Sequence, residues 1–153
     1  LDSYPRQRCM NPAVALAMLE RDDRWLLQLR DDIDTILCPG QWGLFGGHLE
    51  PGETPEQAVQ RELEEEIAWR PDPPLQPWFS DASGIREVHV FRGELLRPLQ
   101  ELQLLEGQDW TLASLSELRS ETIWSERCGE YRPIIAGLKT VVQRLQAEAN
   151  QDD

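Results

Sequence analysis

The chain is poor in lysine, and its charge is strongly one-sided. Lys139 is the single lysine beside fourteen arginines, and 28 acidic against 15 basic residues give a net charge of −13. A protein that binds the phosphate backbone of duplex nucleic acid, or an anionic membrane surface, carries the opposite balance. We therefore expect no stable binding to duplex nucleic acid or membranes. A small anionic substrate would need a divalent cation to supply local positive charge.

Cysteine and histidine are also scarce. Cys9, Cys38 and Cys128 are far apart and form no CxxC pair, and only two histidines accompany them. Neither a disulfide framework nor a zinc site is expected from such spacing, so the three cysteines are interpreted as reduced thiols.

Long apolar runs are missing as well. No run approaches the roughly 20 residues that span a bilayer. The first ten residues, LDSYPRQRCM, lack the apolar centre of a signal peptide, although the chain begins at Leu1 rather than at methionine. With 153 residues, 40% of them hydrophobic and 28% charged, the composition favours a cytoplasmic globular protein with one domain over residues 1–153.

Patterns outside the central segment predict a mixture of strands and helices. Apolar runs at 13–19 and 24–30 flank the polar stretch Glu20–Asp23 and predict an antiparallel hairpin with its turn there. The glycine-rich residues 40–47 are too punctuated for regular structure throughout, and the prolines of residues 71–77 predict an extended connector.

The second half continues this mixture. A strand is predicted over 86–96 and a short helix over 114–119. An amphipathic C-terminal helix is predicted over about 132–149, and its apolar stripe comprises Ile134, Ile135, Leu138, Val142 and Leu145. Strands and helices mixed within one short chain favour an α/β sandwich.

The clearest helix spans Thr54 to Ile67. Thr54 suits the N-cap, Pro55 suits the first helical position, and Gln57 completes a capping box with Thr54. The local sequence therefore predicts the residue at which this helix begins.

Glutamates crowd one side of this helix. Glu62, Glu65 and Glu66 fall within roughly one third of its circumference, beside an apolar strip that includes Leu63. Like charges at these spacings are destabilising, and Mg²⁺, which prefers carboxylate oxygens, would remove the penalty. Arg61 lies one turn before Glu65 and can hold its carboxylate. The alternative from spacing alone is a solvated acidic face.

The string GGHLEPGETPEQAVQRELEEEIAW resembles the Nudix box, G-x₅-E-x₇-R-E-U-x-E-E-x-G-U, in which U is a bulky apolar residue. The matching positions are Gly47, Glu53, Arg61, Glu62, Leu63, Glu65 and Glu66. Ala68 stands where the pattern has glycine, Trp69 fills the last bulky position, and Phe45 replaces a proline often found before the paired glycines. The Ala68 departure is expected to alter only the helix exit.

This resemblance implies an α/β/α sandwich with a mixed β-sheet between helices, in which the box (47–69) binds Mg²⁺, with Mn²⁺ as a substitute. The implied metal ligands are the Gly46 carbonyl and the carboxylates of Glu62, Glu65 and Glu66. Arg61 would orient a glutamate, and Glu53 would support the loop–helix geometry.

The resemblance also implies roles for residues near the substrate. Glu65, Glu66 and the downstream loop residue Glu106 are candidates for the base that takes a proton from water. His48 is a candidate substrate contact because the motif leaves its position free, and Trp42 offers an aromatic face for a base. The alternatives are an exposed loop acid for Glu106 and a core position for Trp42.

The implied function is hydrolysis of a nucleoside diphosphate linked to another group, X. A MutT-like nucleoside triphosphate pyrophosphohydrolase is the first candidate, and ADP-ribose, nucleotide sugars and dinucleoside polyphosphates are alternative substrates. A non-catalytic nucleotide sensor is a second class. An isomerase of the related isoprenoid type would need a catalytic cysteine, and none of the three is obviously placed for that role. The expected partner is a small nucleotide, and the chain would act as a monomer or homodimer.

Overall fold

The computed structural model describes residues 13–33 and 39–151, so Cys9 and Cys38 lie outside the described residues. The chain divides into two compact units, one with Leu1–Leu19 and Phe45–Gln103, the other with Glu20–Leu44 and Leu104–Asp153. None of the helices in the described ranges has the length and apolar character that crossing a bilayer requires.

The predicted N-terminal hairpin is confirmed. Strand β1 (Ala13–Arg21) and strand β2 (Arg24–Leu29) are antiparallel, with Arg21 opposite Arg24. The turn is shorter than predicted, because only Asp22 and Asp23 lie in it, at φ values of 54° and 59°. Two successive positive φ angles match the twist of paired strands, and aspartate tolerates this conformation.

In the first unit, strands lie beside the helix that carries the glutamates. Strand β4 (Phe45–His48) pairs antiparallel with β1, β5 (Gln76–Asp81) pairs antiparallel with β6 (Glu87–Glu94), and β6 neighbours β1. Helix α1 (Pro55–Ile67) packs against β4, and a 3₁₀ turn spans Leu99–Glu101. The apolar strip of α1 is buried, as predicted, through Ala58, Val59, Leu63 and Ile67.

Two predictions for the segments around β4 and β5 need correction. Residues 40–47 are more regular than expected, since Trp42–Gly43 forms β3 and the paired glycines lie inside β4. Strand β5 begins within the predicted proline-rich connector. Proline is tolerated there because β5 is the last strand of its sheet, and its pairing with β6 is irregular between Pro77 and Phe79.

In the second unit, β2 lies between β3 and β7 (Asp109–Ser114), both antiparallel to it. The predicted short helix is confirmed as α2 (Leu115–Leu118), which has Ser114 as its N-cap. Strands β8 (Thr122–Ser125) and β9 (Glu130–Pro133) form a separate antiparallel pair. Strand β7 was not predicted.

The predicted start of the C-terminal helix is wrong. Helix α3 spans Leu138–Gln151, and the residues expected to begin it form β9 instead. Ile135 also lies before the helix, where its backbone N–H donates to the Trp42 carbonyl at 2.9 Å. The buried stripe of α3 comprises Leu138, Val141 and Leu145. Pairing with the preceding strand β8 takes Arg132 and Pro133 out of the predicted helix.

The C-terminal end of helix α1 has the backbone conformation that glycine usually adopts there. Ala68 is its C-cap in the left-handed conformation, with φ 56° and ψ 38°, and its N–H donates to the Glu64 carbonyl. A Cβ is unfavourable at such a position, which is why the pattern has glycine there.

Replacing Ala68 with glycine is expected to stabilise the protein by about 0.5–1 kcal/mol, because the strain of a left-handed alanine is removed. Denaturant unfolding measures this change. Ala147→Gly, on an exposed position of α3, is the matched control and should destabilise by a similar amount. Equal destabilisation by both variants would contradict the prediction.

Candidate functional site

A tight turn and a fully capped helix start position the first part of the site. The Glu50 N–H donates to the Glu53 carboxylate at 2.9 Å, and the Glu53 N–H donates to the Glu50 carbonyl at 3.0 Å. The Thr54 N–H donates to the Gln57 side chain at 2.9 Å, and the Gln57 N–H donates to the Thr54 hydroxyl at 3.1 Å. The predicted capping box is therefore confirmed, and it places Glu53 immediately before the first turn of α1.

Arg61 connects the loop to the glutamates of the helix. Its Nε and Nη2 donate to the two Glu53 carboxylate oxygens at 2.8 and 2.9 Å, which is a bidentate ion pair. Nη2 also donates to the His48 carbonyl at 3.0 Å, and Nη1 donates to Glu62 at 3.1 Å and to Glu65 at 3.3 Å. The Arg61–Glu65 pairing expected from the sequence is thus present, along with three further acceptors.

The charges of this pair are strongly stabilised. Hydrogen bonding from Arg61 holds the pKa of Glu53 below its ordinary value of 4.5, and the Glu53 carboxylate raises the pKa of Arg61. Both groups therefore stay ionised at neutral pH. This result supports the interpretation of Glu53 as the residue that fixes the loop–helix geometry.

Two glycines form the surface against which the helix carboxylates lie. The Gly46 N–H donates to Glu66 Oε1 at 2.8 Å, and Glu66 is only 3% exposed. A Cβ on Gly47 would lie 2.6 Å from Glu62 Oε1. Gly46 has φ 132°, and a Cβ there would lie 2.1 Å from the Ala15 carbonyl oxygen. Glycine at position 47 lets the backbone approach Glu62 closely, and glycine at position 46 lets β4 approach the backbone of β1.

The donor chemistry around these glycines fits a hard divalent cation. Carboxylate and backbone carbonyl oxygens are the ligands that Mg²⁺ prefers, and Glu62 and Glu66 both reach the Gly46–Gly47 backbone. Glu65 is half-exposed and bonded to Arg61 instead. Within residues 13–33 and 39–151, no three His, Cys, Asp or Glu side chains form a group that could hold a metal ion as they stand.

The other predicted site residues fall into three environments. His48 is exposed at the end of β4, close to the site through its carbonyl bond with Arg61. Glu106 is exposed in a loop of the second unit, and its carbonyl accepts a hydrogen bond from Gln28 Nε2 at 3.0 Å. Trp42 is 0% exposed, and its Nε1 donates to the Ile123 carbonyl at 3.0 Å.

Trp42 must therefore be corrected to a core residue, because its ring has no face on which a base could stack. Sequence reasoning also passed over Gln28, which contacts the Glu106 loop. The available signal was one polar residue within the apolar run Trp25–Leu29.

Antiparallel strands lie beside a capped helix, and glutamates of that helix lie against two paired glycines. This arrangement is that of a Nudix-type domain. The family model for the NUDIX domain matches residues 10–127, which is more than half of the chain. The chain belongs to the Nudix hydrolase family.

Curated relatives match over a short stretch. A protein named nucleoside triphosphatase NudI, from Enterobacter sp. (strain 638), is 51% identical over 46 residues, covering 29% of this chain and 33% of that protein. A protein of the same name from Escherichia coli O1:K1 / APEC is 41% identical over 54 residues, covering 35% of this chain and 38% of that protein. The chain thus spans only about a third of the length of the curated relatives it matches.

Solved structures match over most of the chain. A MutT protein from Methanosarcina mazei Go1 has a TM-score of 0.65 at 19% identity, covering 91% of this chain and 95% of its own. The NUDIX domain of Shewanella oneidensis NrtR, complexed with ADP ribose, has a TM-score of 0.65 at 19% identity, covering 91% and 88%. These likenesses confirm the predicted α/β fold with a mixed sheet flanked by helices.

Proposed function

We propose that this chain is a hydrolase that uses water to cut the diphosphate linkage of a nucleoside diphosphate joined to another group. A nucleoside triphosphate, cut to a monophosphate and pyrophosphate, is the first candidate substrate. The observation that carries the proposal is the placement of Glu62 and Glu66 against the Gly46–Gly47 backbone, with Arg61 bonded to Glu62 and Glu65. The name of the NudI relatives supports the choice of substrate.

The proposal includes Mg²⁺, with Mn²⁺ as a substitute, held by the Gly46 carbonyl and by Glu62, Glu65 and Glu66. A bound cation of this kind neutralises diphosphate oxygens and lowers the pKa of a coordinated water. Such a cation would also offset the repulsion between an anionic substrate and a chain with a net charge of −13.

Arg61 has a holding role in this proposal. Its donors already bond to Glu53, Glu62, Glu65 and the His48 carbonyl, so the guanidinium is occupied by the protein rather than by phosphate. It fixes Glu62 and Glu65 relative to the loop, while the ionised carboxylate of Glu53 fixes Arg61 itself. Catalysis gains when reacting groups are held in place before substrate arrives.

In the proposed reaction, the water oxygen bonds to one phosphorus as the bond from that phosphorus to the bridging oxygen breaks. A carboxylate takes the proton of the water. Glu66 is buried and bonded to the Gly46 N–H, which suits holding that backbone better than accepting a proton. Glu65 and Glu106 are exposed and are the better candidates for the acceptor. His48, also exposed, remains a candidate substrate contact.

Turnover of a nucleotide panel tests this function. The panel contains canonical and oxidised nucleoside triphosphates, nucleotide sugars, dinucleoside polyphosphates, NADH, and ADP-ribose, the last because the NrtR domain was solved with it. We expect one substrate to be strongly preferred, with chromatography showing a nucleoside monophosphate as product. A chelator should abolish turnover, and added Mg²⁺ should restore it.

Two results would contradict the proposal. Turnover that is unaffected by a chelator would exclude the divalent cation. Nucleotide binding without turnover of any substrate would exclude the hydrolase and favour the nucleotide-sensor class.

A further inference from the structure

An open cavity of about 350 Å³ lies beside helix α1, entirely within the first unit. Its walls are the loop that precedes the helix and one face of the helix itself. Cavities that bind small molecules begin at about 300 Å³, so this one is large enough for a group the size of a sugar. The polar side chains of these two walls are Glu50 and Glu53 from the loop, and Gln57, Gln60, Arg61 and Glu64 from the helix.

Arg61 connects this cavity to the carboxylates that are proposed to hold the cation. On the cavity side, its Nε and Nη2 bond to Glu53 at 2.8 and 2.9 Å. On the other side, Nη1 bonds to Glu62 at 3.1 Å and to Glu65 at 3.3 Å. One guanidinium group therefore separates the cavity from these carboxylates, and a single ligand can have its diphosphate beside Glu62 and Glu65 and the attached group in the cavity.

Two amides of the cavity wall have a fixed orientation. The Thr54 N–H donates to Gln57 Oε1 at 2.9 Å. Arg70 Nη2 donates to Gln60 Oε1 at 3.2 Å. Since each carbonyl oxygen is engaged, the Nε2 group is the end of each amide that is left for a ligand, and within residues 13–33 and 39–151 no acceptor is bonded to either Nε2. The cavity therefore offers two oriented donors.

The charges of the wall determine which ligand it accepts. Three carboxylates lie against two guanidinium groups, which leaves one negative charge in excess, and the carboxylates of Glu50 and Glu64 are about half-exposed. A phosphate group would be repelled there, whereas a hydroxyl group can donate to a carboxylate oxygen. None of the described residues that line the cavity is aromatic, so it has no face on which a base could stack.

We infer that this cavity binds a neutral, hydroxyl-rich group of the substrate, which is a pentose or hexose attached to the diphosphate. A sugar hydroxyl accepts from an amide N–H and donates to a carboxylate, so it uses both kinds of group in the wall. The inference rests on the proposed function, because it has the diphosphate beside Glu62 and Glu65. Two sugars have this chemistry, namely the ribose of the nucleoside and a sugar that forms the group X.

The test compares pairs of substrates that carry the same phosphates and differ in their hydroxyl groups. A ribonucleoside triphosphate is paired with its dideoxy analogue, and a nucleoside diphosphate hexose is paired with the cyclohexyl ester of the same nucleoside diphosphate. For at least one pair, we expect the wild type to prefer the hydroxyl-bearing member in kcat/KM by about tenfold. The pair that shows this preference identifies which sugar occupies the cavity.

Two variants remove the donors of the wall. Gln57→Glu retains an oxygen that accepts from the Thr54 N–H, since glutamate also completes a capping box. Gln60→Met keeps the length of the side chain and adds no charge. Each should lower the hydroxyl preference about three- to tenfold, and an effect of added charge cancels because both members of a pair carry the same phosphates. Gln143→Glu, on an exposed position of α3, is the matched control and should leave the preference unchanged.

Equal losses for both members of a pair would overturn the inference, because they would show that the two amides do not contact hydroxyl groups. A wild type that turns over these substrates without a hydroxyl preference would also overturn it, while leaving the hydrolase intact. If the wild type turns over nothing, calorimetric titration with the same pairs measures binding directly. A hydroxyl preference in Kd that both variants lower would then support the sugar site and contradict the hydrolase, and its absence would overturn both.

Discussion

Replacement of Glu65 by glutamine is expected to lower kcat/KM for the preferred substrate by about 10²- to 10⁴-fold. Glu65 lies one turn after Arg61, which bonds to it at 3.3 Å and leaves about half of the side chain exposed. Glutamine keeps the size of the side chain but removes the charge that either a cation or a proton requires. The loss is therefore expected whether Glu65 acts as a ligand, as the base, or as both.

The control for this variant is its neighbour on the helix. Glu64 bonds to Arg70 at 3.3 Å on another side of α1 and is similarly exposed, so Glu64→Gln should change kcat/KM less than about twofold. Steady-state kinetics measures both variants. Calorimetric titration with Mn²⁺ adds a readout that is independent of turnover, in which only Glu65→Gln should weaken binding. Equal activity of the two variants would exclude Glu65 from the site and leave Glu66 and Glu106 as candidates for the base.

Replacement of Gly46 by alanine is expected to destabilise the protein by about 2–6 kcal/mol. The new Cβ would lie 2.1 Å from the Ala15 carbonyl oxygen and 2.8 Å from Leu16 Cα, and both are backbone atoms of β1 that cannot turn aside. Relieving this overlap separates β4 from β1, which costs about 1–3 kcal/mol in overpacking. Loss of the Gly46 N–H bond to the buried Glu66 carboxylate adds a cost of about 1–3 kcal/mol.

Gly52→Ala separates this steric effect from the general effect of a positive φ. Gly52 has φ 79°, but a Cβ there meets no atom within 4 Å, so a cost of only about 1 kcal/mol is expected. Denaturant unfolding of both variants measures the difference. Similar losses at Gly46 and Gly52 would show that β4 adapts to a side chain, and that the glycine is not required by its approach to β1.

Local signals predicted the helix of the site correctly. Thr54, Pro55 and Gln57 act within one turn of each other, so their capping interactions are readable without knowledge of any other segment. The same holds for the pairing of Arg61 with Glu65, which needs only the geometry of a helix. The resemblance to the Nudix box rested on the spacing of such residues, and the family model bears it out.

The role of Glu53 could be inferred only in part from the sequence, and the tertiary structure supplied the rest. The resemblance to the Nudix box implied a supporting role for it. The structure shows the bidentate bond that performs it and the resulting lowered pKa of Glu53. Because the turn at Glu50–Glu53 and the capped helix are both local, the sequence carried most of this information.

Contacts between different segments of the chain decided the features that the sequence did not predict. Residues 132 and 133 were predicted to begin the C-terminal helix but form the end of β9, because their backbone groups bond to β8. Pro77 argues against a strand, yet β5 tolerates it at the sheet edge. Trp42 has the chemistry of a stacking residue, but its complete burial removes it from the surface. In each case the outcome depends on which other segment covers or pairs with the residue.

The sequence by itself determined the helix that carries Glu62, Glu65 and Glu66, the pairing of Arg61 with Glu65, and the family, because capping and helical spacing act over a few residues. Only the tertiary structure decided that Gly46 and Gly47 lie against Glu66 and Glu62, and that Gln28 holds the Glu106 loop. Those contacts join residues 15 to 78 positions apart, and no local pattern specifies which backbone will approach which side chain.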